Sequence, residues 1–193
     1  MKNSVLLLSG GLDSIAVAYW LRPRIAITID YGQLPAKAER RSASAVAHAL
    51  NIEHHNITAN LRWLGSGDMA GSEPSVDVPV SEWWPFRNQF LLTIGGMVAV
   101  KNEVDSVTLG SVATDAKHID GSPAFIKQIN DLVSMQESNI RVEAPAHALT
   151  SVELIRASGV PSDLLSYAHS CHKSNWACGV CNGCDKHYAV QRQ

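Results

Sequence analysis

A chain of 193 residues is the length of one domain, and a domain of that size buries roughly 70% of its unfolded surface without needing disulfides. With 16 basic against 18 acidic residues the net charge is -2, and no run of like charges forms a tail, so composition offers no electrostatic ground for nucleic-acid binding. The apolar run Val5–Leu8 is too short for a signal-peptide core, and nothing approaches the roughly 20 apolar residues of a membrane span, so a cytoplasmic protein with reduced cysteines is expected.

In chain order, Val5–Leu8 reads as a buried strand that runs into the turn Ser9–Ser14 and a helix over Ser14–Leu21. Ile25–Ile29 is a second buried strand. A helix over Ala38–Leu50 follows, with Ala43, Val46, Ala47 and Leu50 at i, i+3, i+4 and i+7, and then a weaker strand over Glu53–Ile57. Residues 60–85 break this rhythm. Gly, Ser, Asp and Pro dominate there, with Trp63, Trp83 and Trp84 among them, as in a functional or mobile loop whose tryptophans serve an interface, a lid or their own domain. Beyond it come helical stretches over Gln89–Val100, Pro123–Ser134 and Ser151–Ser158, and strands over Val107–Leu109 and Ile140–Val142. Such alternation predicts an α/β fold, a parallel sheet with helices on both faces over residues 1–160, followed by a C-terminal segment over 161–193 packed on it.

Ligands of open parallel sheets bind beyond the carboxyl ends of the strands, where the Ser-Gly-Gly-Leu-Asp-Ser turn lies. Its glycines let backbone N–H groups converge on an anion, the next helix points its positive end there, and Ser9 and Ser14 add hydroxyls. Asp13 beside a phosphate site suits Mg²⁺ or a helix cap. The turn has neither the Gly-Lys-Ser/Thr of a P-loop nor G-x-G-x-x-G. It resembles the pyrophosphate-binding loop of the N-type ATP pyrophosphatases.

Cys171, Cys178, Cys181 and Cys184 lie within fourteen residues, spaced so that four thiolates can converge on one tetrahedral ion. A structural Zn²⁺ knuckle is the first reading and an iron–sulfur cluster its rival. His169, His172 and His187 flank the set and could replace a cysteine, though each reads first as a surface residue or a neighbour of the ligands.

Together the glycine turn and the cysteine knuckle resemble the 7-cyano-7-deazaguanine synthase family. "IDYGQ" (29–33), "WPFRNQFLL" (84–92), "LGS" (109–111) with Asp115, "DGSPAFIKQIN" (120–130) and "SCHKSNWACGVCNGC" (170–184) extend the likeness over nearly the whole chain. The resemblance implies an adenine nucleotide alpha hydrolase-like, Rossmann-like fold with a small C-terminal zinc knuckle, a homodimer, and ATP with Mg²⁺ and a 7-deazaguanine base as partners. ATP would then lie on Leu8, Ser9, Gly10, Gly11, Leu12, Asp13 and Ser14, with Asp30 and Gly110. The base would lie on Tyr31, Gly32, Gln33, Phe86, Arg87, Asn88, Ser111, Asp115, Asp120 and Phe125. Asp13, Arg87 and Asn88 become the catalytic candidates, Arg87 because its planar fork matches a carboxylate or phosphate.

By the same resemblance the reaction adenylates the carboxylate of 7-carboxy-7-deazaguanine, and an amine displaces AMP to give an amide or, with a second ATP, the nitrile. Several positions depart from the family pattern: Pro35 replaces a histidine, Glu39 comes one residue late, Phe86 replaces a glycine, Ser151 replaces a lysine, and the cysteine gap is reduced to six residues. These departures resemble the short synthase-like proteins of bacterial defence operons and admit another acceptor amine, including one on a protein. Two other functions compete: a tRNA-modifying enzyme with the same loop, and a non-enzymatic nucleotide or base sensor.

Overall fold

The structure is a computed structural model that describes residues 2–74 and 82–192. The chain opens with β1 (Lys2–Leu7), α1 (Leu12–Leu21), β2 (Pro23–Asp30), α2 (Ala36–Ala49) and β3 (Glu53–Thr58). Two short strands, β4 (Ser66–Gly67) and β5 (Glu82–Trp83), pair as an antiparallel ribbon. After them come α3 (Arg87–Lys101), β6 (Ser106–Thr108), α4 (Pro123–Ser134), β7 (Arg141–Glu143), α5 (Ser151–Ser158), the single turn α6 (Ser162–Leu165) and α7 (Asn182–Gln191).

Five strands form one parallel sheet in the order β3-β2-β1-β6-β7, with Leu6 opposite Ala26, Val5 opposite Val107, and Val107 opposite Val142. The apolar run at β1 has no polar alternation because both of its faces are covered. Val5 and Leu7 face a core shared with Ile25, Ile27, Leu92 and Ala99 of α3 and Ile129 of α4. Leu6 and Leu8 face a second core with Ile15 and Val17 of α1, Val46 and Ala47 of α2, Leu154 of α5 and Leu164 of α6. Each fully buried aliphatic side chain contributes about 1.5–3 kcal/mol, so this double layer fixes both position and register of the central strand. The expected parallel sheet with helices on both faces is what folds.

Helix ends follow local chemistry. Ser122 caps α4, its Oγ accepting from the N–H of Phe125 with Pro123 at the first helical position. At α5, which begins at Ser151 as expected, the cap is Thr150: its Oγ1 accepts from Glu153 N–H, while the Glu153 carboxylate accepts from Thr150 N–H at 2.8 Å. Within the 60–85 loop, residues 75–81 lie outside the described residues. Of its tryptophans, Trp63 is 81% exposed but Trp84 only 6%, with its Nε1–H donating to the Leu61 carbonyl and its ring edge-on to Tyr31 at 5.0 Å. Among the described residues no helix is long and apolar enough to cross a membrane.

Candidate active site

The sheet is built outward from β1 in two directions, to β2 and β3 on one side and to β6 and β7 on the other. The carboxyl ends of β1 and β6 therefore flank a topological switch point, where the crossovers part and leave a crevice. The turn after β1 and the Leu109–Ser111 turn after β6 both open there. Their approach is close, since a Cβ on Gly110 would lie 3.3 Å from the Ser14 Cα.

The glycine turn is pinned from behind. Gly10 has φ +77°, and its carbonyl accepts from Ser42 Oγ at 2.8 Å and from the His169 N–H at 2.9 Å. A Cβ at this position would meet the Glu39 carbonyl at 2.7 Å, so only glycine fits. With that carbonyl turned away from the crevice, the first N–H groups of α1, which lack intrahelical partners, remain available at its mouth. The first helical bond is Ile15 N–H to Gly11 O, and no side chain caps the end. Ser14 Oγ donates to the Gly11 carbonyl at 3.0 Å and lies 3.2 Å from Ser9 Oγ. Asp13 accepts at Oδ2 from Lys186 at 2.6 Å, whereas its Oδ1 is buried with no partner. A buried carboxylate oxygen without a hydrogen-bond partner is costly, and a cation or donor arriving with a ligand relieves the cost.

From this turn a cavity of about 640 Å³ extends under β2 and α3, the size of a pocket for a nucleotide-scale ligand. Arg87 stands in its wall at the start of α3. Burial and the positive end of the helix both oppose its charge. A hydrogen bond to Tyr31 and the nearby Asp120 and Glu39 carboxylates more than offset this and hold the guanidinium firmly protonated. Burial pushes the Tyr31 hydroxyl well above its ordinary range, keeping it neutral. Burial likewise lifts Glu39 from 4.5 to about 7, against the hydrogen bond from Gln33 and the charge of Arg87. Asn88 is held by Asp120, whose carboxylate accepts from its N–H at 3.1 Å and whose carbonyl accepts from its Nδ2 at 2.9 Å.

The four cysteine sulfurs lie within 4.8 Å of one another, with Cys178 and Cys184 at 3.9 Å. Tetrahedral coordination at about 2.3 Å requires sulfurs about 3.8 Å apart, so the donor set fits a single tetrahedral ion. Gly183 must be glycine for the turn to close, since a Cβ would stand 1.9 Å from the Ser170 carbonyl. The His172 N–H donates to Cys181 Sγ, and burial pushes the Cys184 thiol up to about 12, so a metal must displace protons as it binds. From this knuckle the chain reaches back to the front of the molecule. His169 holds Gly10, Asn175 Oδ1 accepts from Ala38 N–H in the first turn of α2 at 2.8 Å, and Lys173 pairs with Asp68.

Of the residues proposed from sequence, the cavity brings together Leu8, Ser9, Gly11, Leu12, Asp13, Ser14, Tyr31, Gln33, Arg87, Asn88, Gly110, Ser111 and Asp115. Gly10 lies behind the turn, and Asp30 caps its own turn by accepting from Gly32 N–H, outside the cavity lining. Gly32 is likewise outside it, as are Asp120, which acts on Asn88, and Phe125, which packs against the core. Phe86 stands away from the pocket, 77% exposed and left-handed at φ +54°. Gln33 has its amide committed to Tyr31 N–H, the Ile29 carbonyl and Glu39. The lining also includes residues the sequence had not singled out for the site: Thr28, Glu39, Met69, His169 and, most notably, Lys186.

A family profile described as queuosine biosynthesis protein QueC matches residues 3–190. The 7-cyano-7-deazaguanine synthase of Methanosphaerula palustris is 32% identical over 204 residues, covering 94% of this chain and 90% of its own. That of Methanoculleus marisnigri is 32% identical over 212 residues, covering 97% and 92%, and that of Nautilia profundicola is 27% identical, covering 95% and 90%. Among solved structures, the U34-tRNA thiolase NcsA from Methanococcus maripaludis, with its [4Fe-4S] cluster, superposes with a TM-score of 0.54 at 16% identity. That match covers 97% of this chain and 63% of the thiolase, and is a likeness of fold.

Proposed function

The chain belongs to the QueC family of queuosine biosynthesis proteins, and from that premise we propose that it adenylates the carboxylate of 7-carboxy-7-deazaguanine with ATP and passes the activated acyl group to an amine. The observation that carries this reading is the bare Asp13 Oδ1 at the mouth of an uncapped helix N-terminus, at the sheet's switch point. The first N–H groups of α1 would hold the phosphates of ATP, and Asp13 the Mg²⁺ that accompanies them.

In the first step a carboxylate oxygen of the base forms a bond to the α-phosphorus, and the bond from that phosphorus to the bridging α–β oxygen breaks, releasing pyrophosphate. Ammonia then bonds to the acyl carbon, AMP leaves with the carboxylate oxygen, and the nitrogen loses a proton to give the amide. With a second ATP the amide oxygen is adenylated in turn, and loss of AMP and the remaining amide protons leaves the nitrile. Arg87, held by Tyr31, orients the anionic end of the base and stabilises the charge that builds on phosphate and acyl oxygens. Asn88, fixed by Asp120, adds an oriented amide beside it. The cysteine knuckle takes Zn²⁺ in a structural role. Four thiolates leave no open position, and their spacing suits one ion better than a cluster of irons, which would hold them farther apart.

The departure at Phe86, an exposed aromatic next in sequence to Arg87, and the serine at 151 keep a second acceptor open, an amine carried on a protein. One assay separates the possibilities: mass spectrometry of pure protein with ATP, Mg²⁺ and 7-carboxy-7-deazaguanine, with and without ammonium. The expected result is AMP, pyrophosphate and a new amide or nitrile. AMP formed with no ammonia-derived product moves the assignment to another amine, and absence of AMP with any base overturns the adenylation reading.

A further inference from the structure

The cysteine knuckle delivers a charge to the nucleotide site. Cys181 is the N-cap of α7 and Cys184 lies in its first turn, so the ligands of the tetrahedral site fix the start and direction of that helix. Two residues on, Lys186 crosses the cavity mouth, its Nζ 2.6 Å from Asp13 Oδ2 and 3.7 Å from Asp115 Oδ1. Across the same cavity Ser151, where the resemblance expects a lysine, has a buried hydroxyl with no partner. Among the described residues the lysine and arginine side chains lining the cavity are Arg87 and Lys186, and only Lys186 stands at the glycine turn.

We propose that Lys186 is the phosphate-handling cation of this site: it neutralises Asp13 while the site is empty and transfers to the β,γ-phosphates when ATP·Mg²⁺ enters, leaving Asp13 to the metal ion. The inference rests on the ATP-dependent reading above. Two carboxylates and one ammonium leave an excess negative charge at the turn, which an incoming polyphosphate must not meet unscreened. Asp13 would hold the Mg²⁺ that accompanies ATP, whose charge would free Lys186; its four-carbon stem allows a point charge to swing where the planar, hydrogen-bonded fork of Arg87 cannot. The bare Asp13 Oδ1, adjacent to the oxygen Lys186 now occupies, is where that exchange begins.

The assignment is tested by calorimetric titration of ATP·Mg²⁺, pyrophosphate and AMP into the metal-loaded wild type, Lys186→Met and Lys186→Arg, with metal content and thermal midpoint measured in each. Lys186→Met is expected to bind ATP and pyrophosphate about 10- to 100-fold more weakly, the range for one lost charge-assisted hydrogen bond, with AMP affinity and metal content unchanged. Lys186→Arg is expected to recover most of the loss. A tether that merely holds α7 in place would weaken all three ligands together, and that outcome, or unchanged pyrophosphate affinity, overturns the proposal. Should Lys186→Met fail to fold, Lys186→Gln preserves a donor to Asp13 without the charge and is read by the same titrations. A wild type that binds no ATP overturns the nucleotide reading itself, whereas ATP binding insensitive to position 186 overturns this inference alone.

Discussion

Replacing Glu39 with glutamine should make the protein more stable at pH 8 and leave it unchanged at pH 5. Glu39 sits in the cavity wall with its Oε2 accepting from Gln33 Nε2 at 2.7 Å, and burial holds its pKa at about 7 against an ordinary 4.5. Between those two values the folded protein keeps a proton that the unfolded chain has lost, so stability falls as pH rises through the window. At about 1.36 kcal/mol per unit the full shift corresponds to at most about 3.4 kcal/mol, and solvent screening in an open cavity reduces this to about 1–2 kcal/mol. Glutamine keeps an oxygen for Gln33 and carries no charge to desolvate, so Glu39→Gln removes that cost. For a domain of this size 1 kcal/mol moves the melting temperature by about 2–4 °C, and the variant should therefore melt about 2–8 °C higher at pH 8. Melting curves of metal-loaded wild type and variant, followed by near-ultraviolet circular dichroism at both pH values, provide the test. An equal shift at pH 5 and pH 8, or a variant less stable at pH 8, would refute a desolvated Glu39.

Gly10→Ala places a Cβ 2.7 Å from the Glu39 carbonyl at a residue whose φ is +77°, and should lower the melting temperature and abolish ATP binding in a titration. Thr150→Ala removes the cap of α5 and should cost about 1 kcal/mol, seen as a drop of about 2–4 °C in melting temperature. Arg87→Lys loses the planar fork held by Tyr31 and should reduce kcat/KM for the base about 10- to 100-fold while ATP affinity is kept, which steady-state kinetics at fixed ATP will show. Stripping the thiolate-bound metal with a chelator should weaken ATP binding, and unchanged affinity after complete metal loss would separate the knuckle from the site.

Strands buried on both faces leave a continuous apolar run that periodicity detects, which is why β1 and β2 were legible; β1 extends back to Lys2 because its polar first residues pair with neighbours, Ser4 with Ser106. The four cysteines were legible because their convergence is decided within fourteen residues. What escaped depends on contacts between distant parts of the chain. Lys186 meets Asp13 across 173 positions and Asn175 caps α2 across 137, and no local pattern encodes either. Phe86 illustrates the converse. Its place in a matching segment suggested a pocket residue, but the left-handed backbone turns its ring into solvent and leaves Arg87 and Asn88 to face the cavity. Trp84 was indistinguishable from its neighbours in sequence, and the edge-on ring of Tyr31, the Leu61 carbonyl and the close approach of Gly65, all distant in sequence, bury it.

A knuckle remote in sequence from the glycine turn still touches it in space. Taken singly, an ion pair such as Lys173–Asp68 or Lys186–Asp13 is worth about 0–1 kcal/mol when partly solvated, because ordering two long side chains consumes most of the attraction. The ties from His169 to Gly10 and from Asn175 to Ala38 carry the further cost of closing a loop of well over a hundred residues. A metal bound by four thiolates changes that balance, since it fixes residues 171–184 by local bonds and lets the neighbouring ties share one ordering cost. Each tie then acts on the nucleotide turn from a rigid base. His169 sets the direction of the Gly10 carbonyl, Asn175 anchors the helix whose Ser42 holds the same oxygen, and Lys186 sets the charge at Asp13. If both sites fill, metal occupancy and nucleotide affinity should behave as one coupled equilibrium, the binding of either strengthening the other by the same factor.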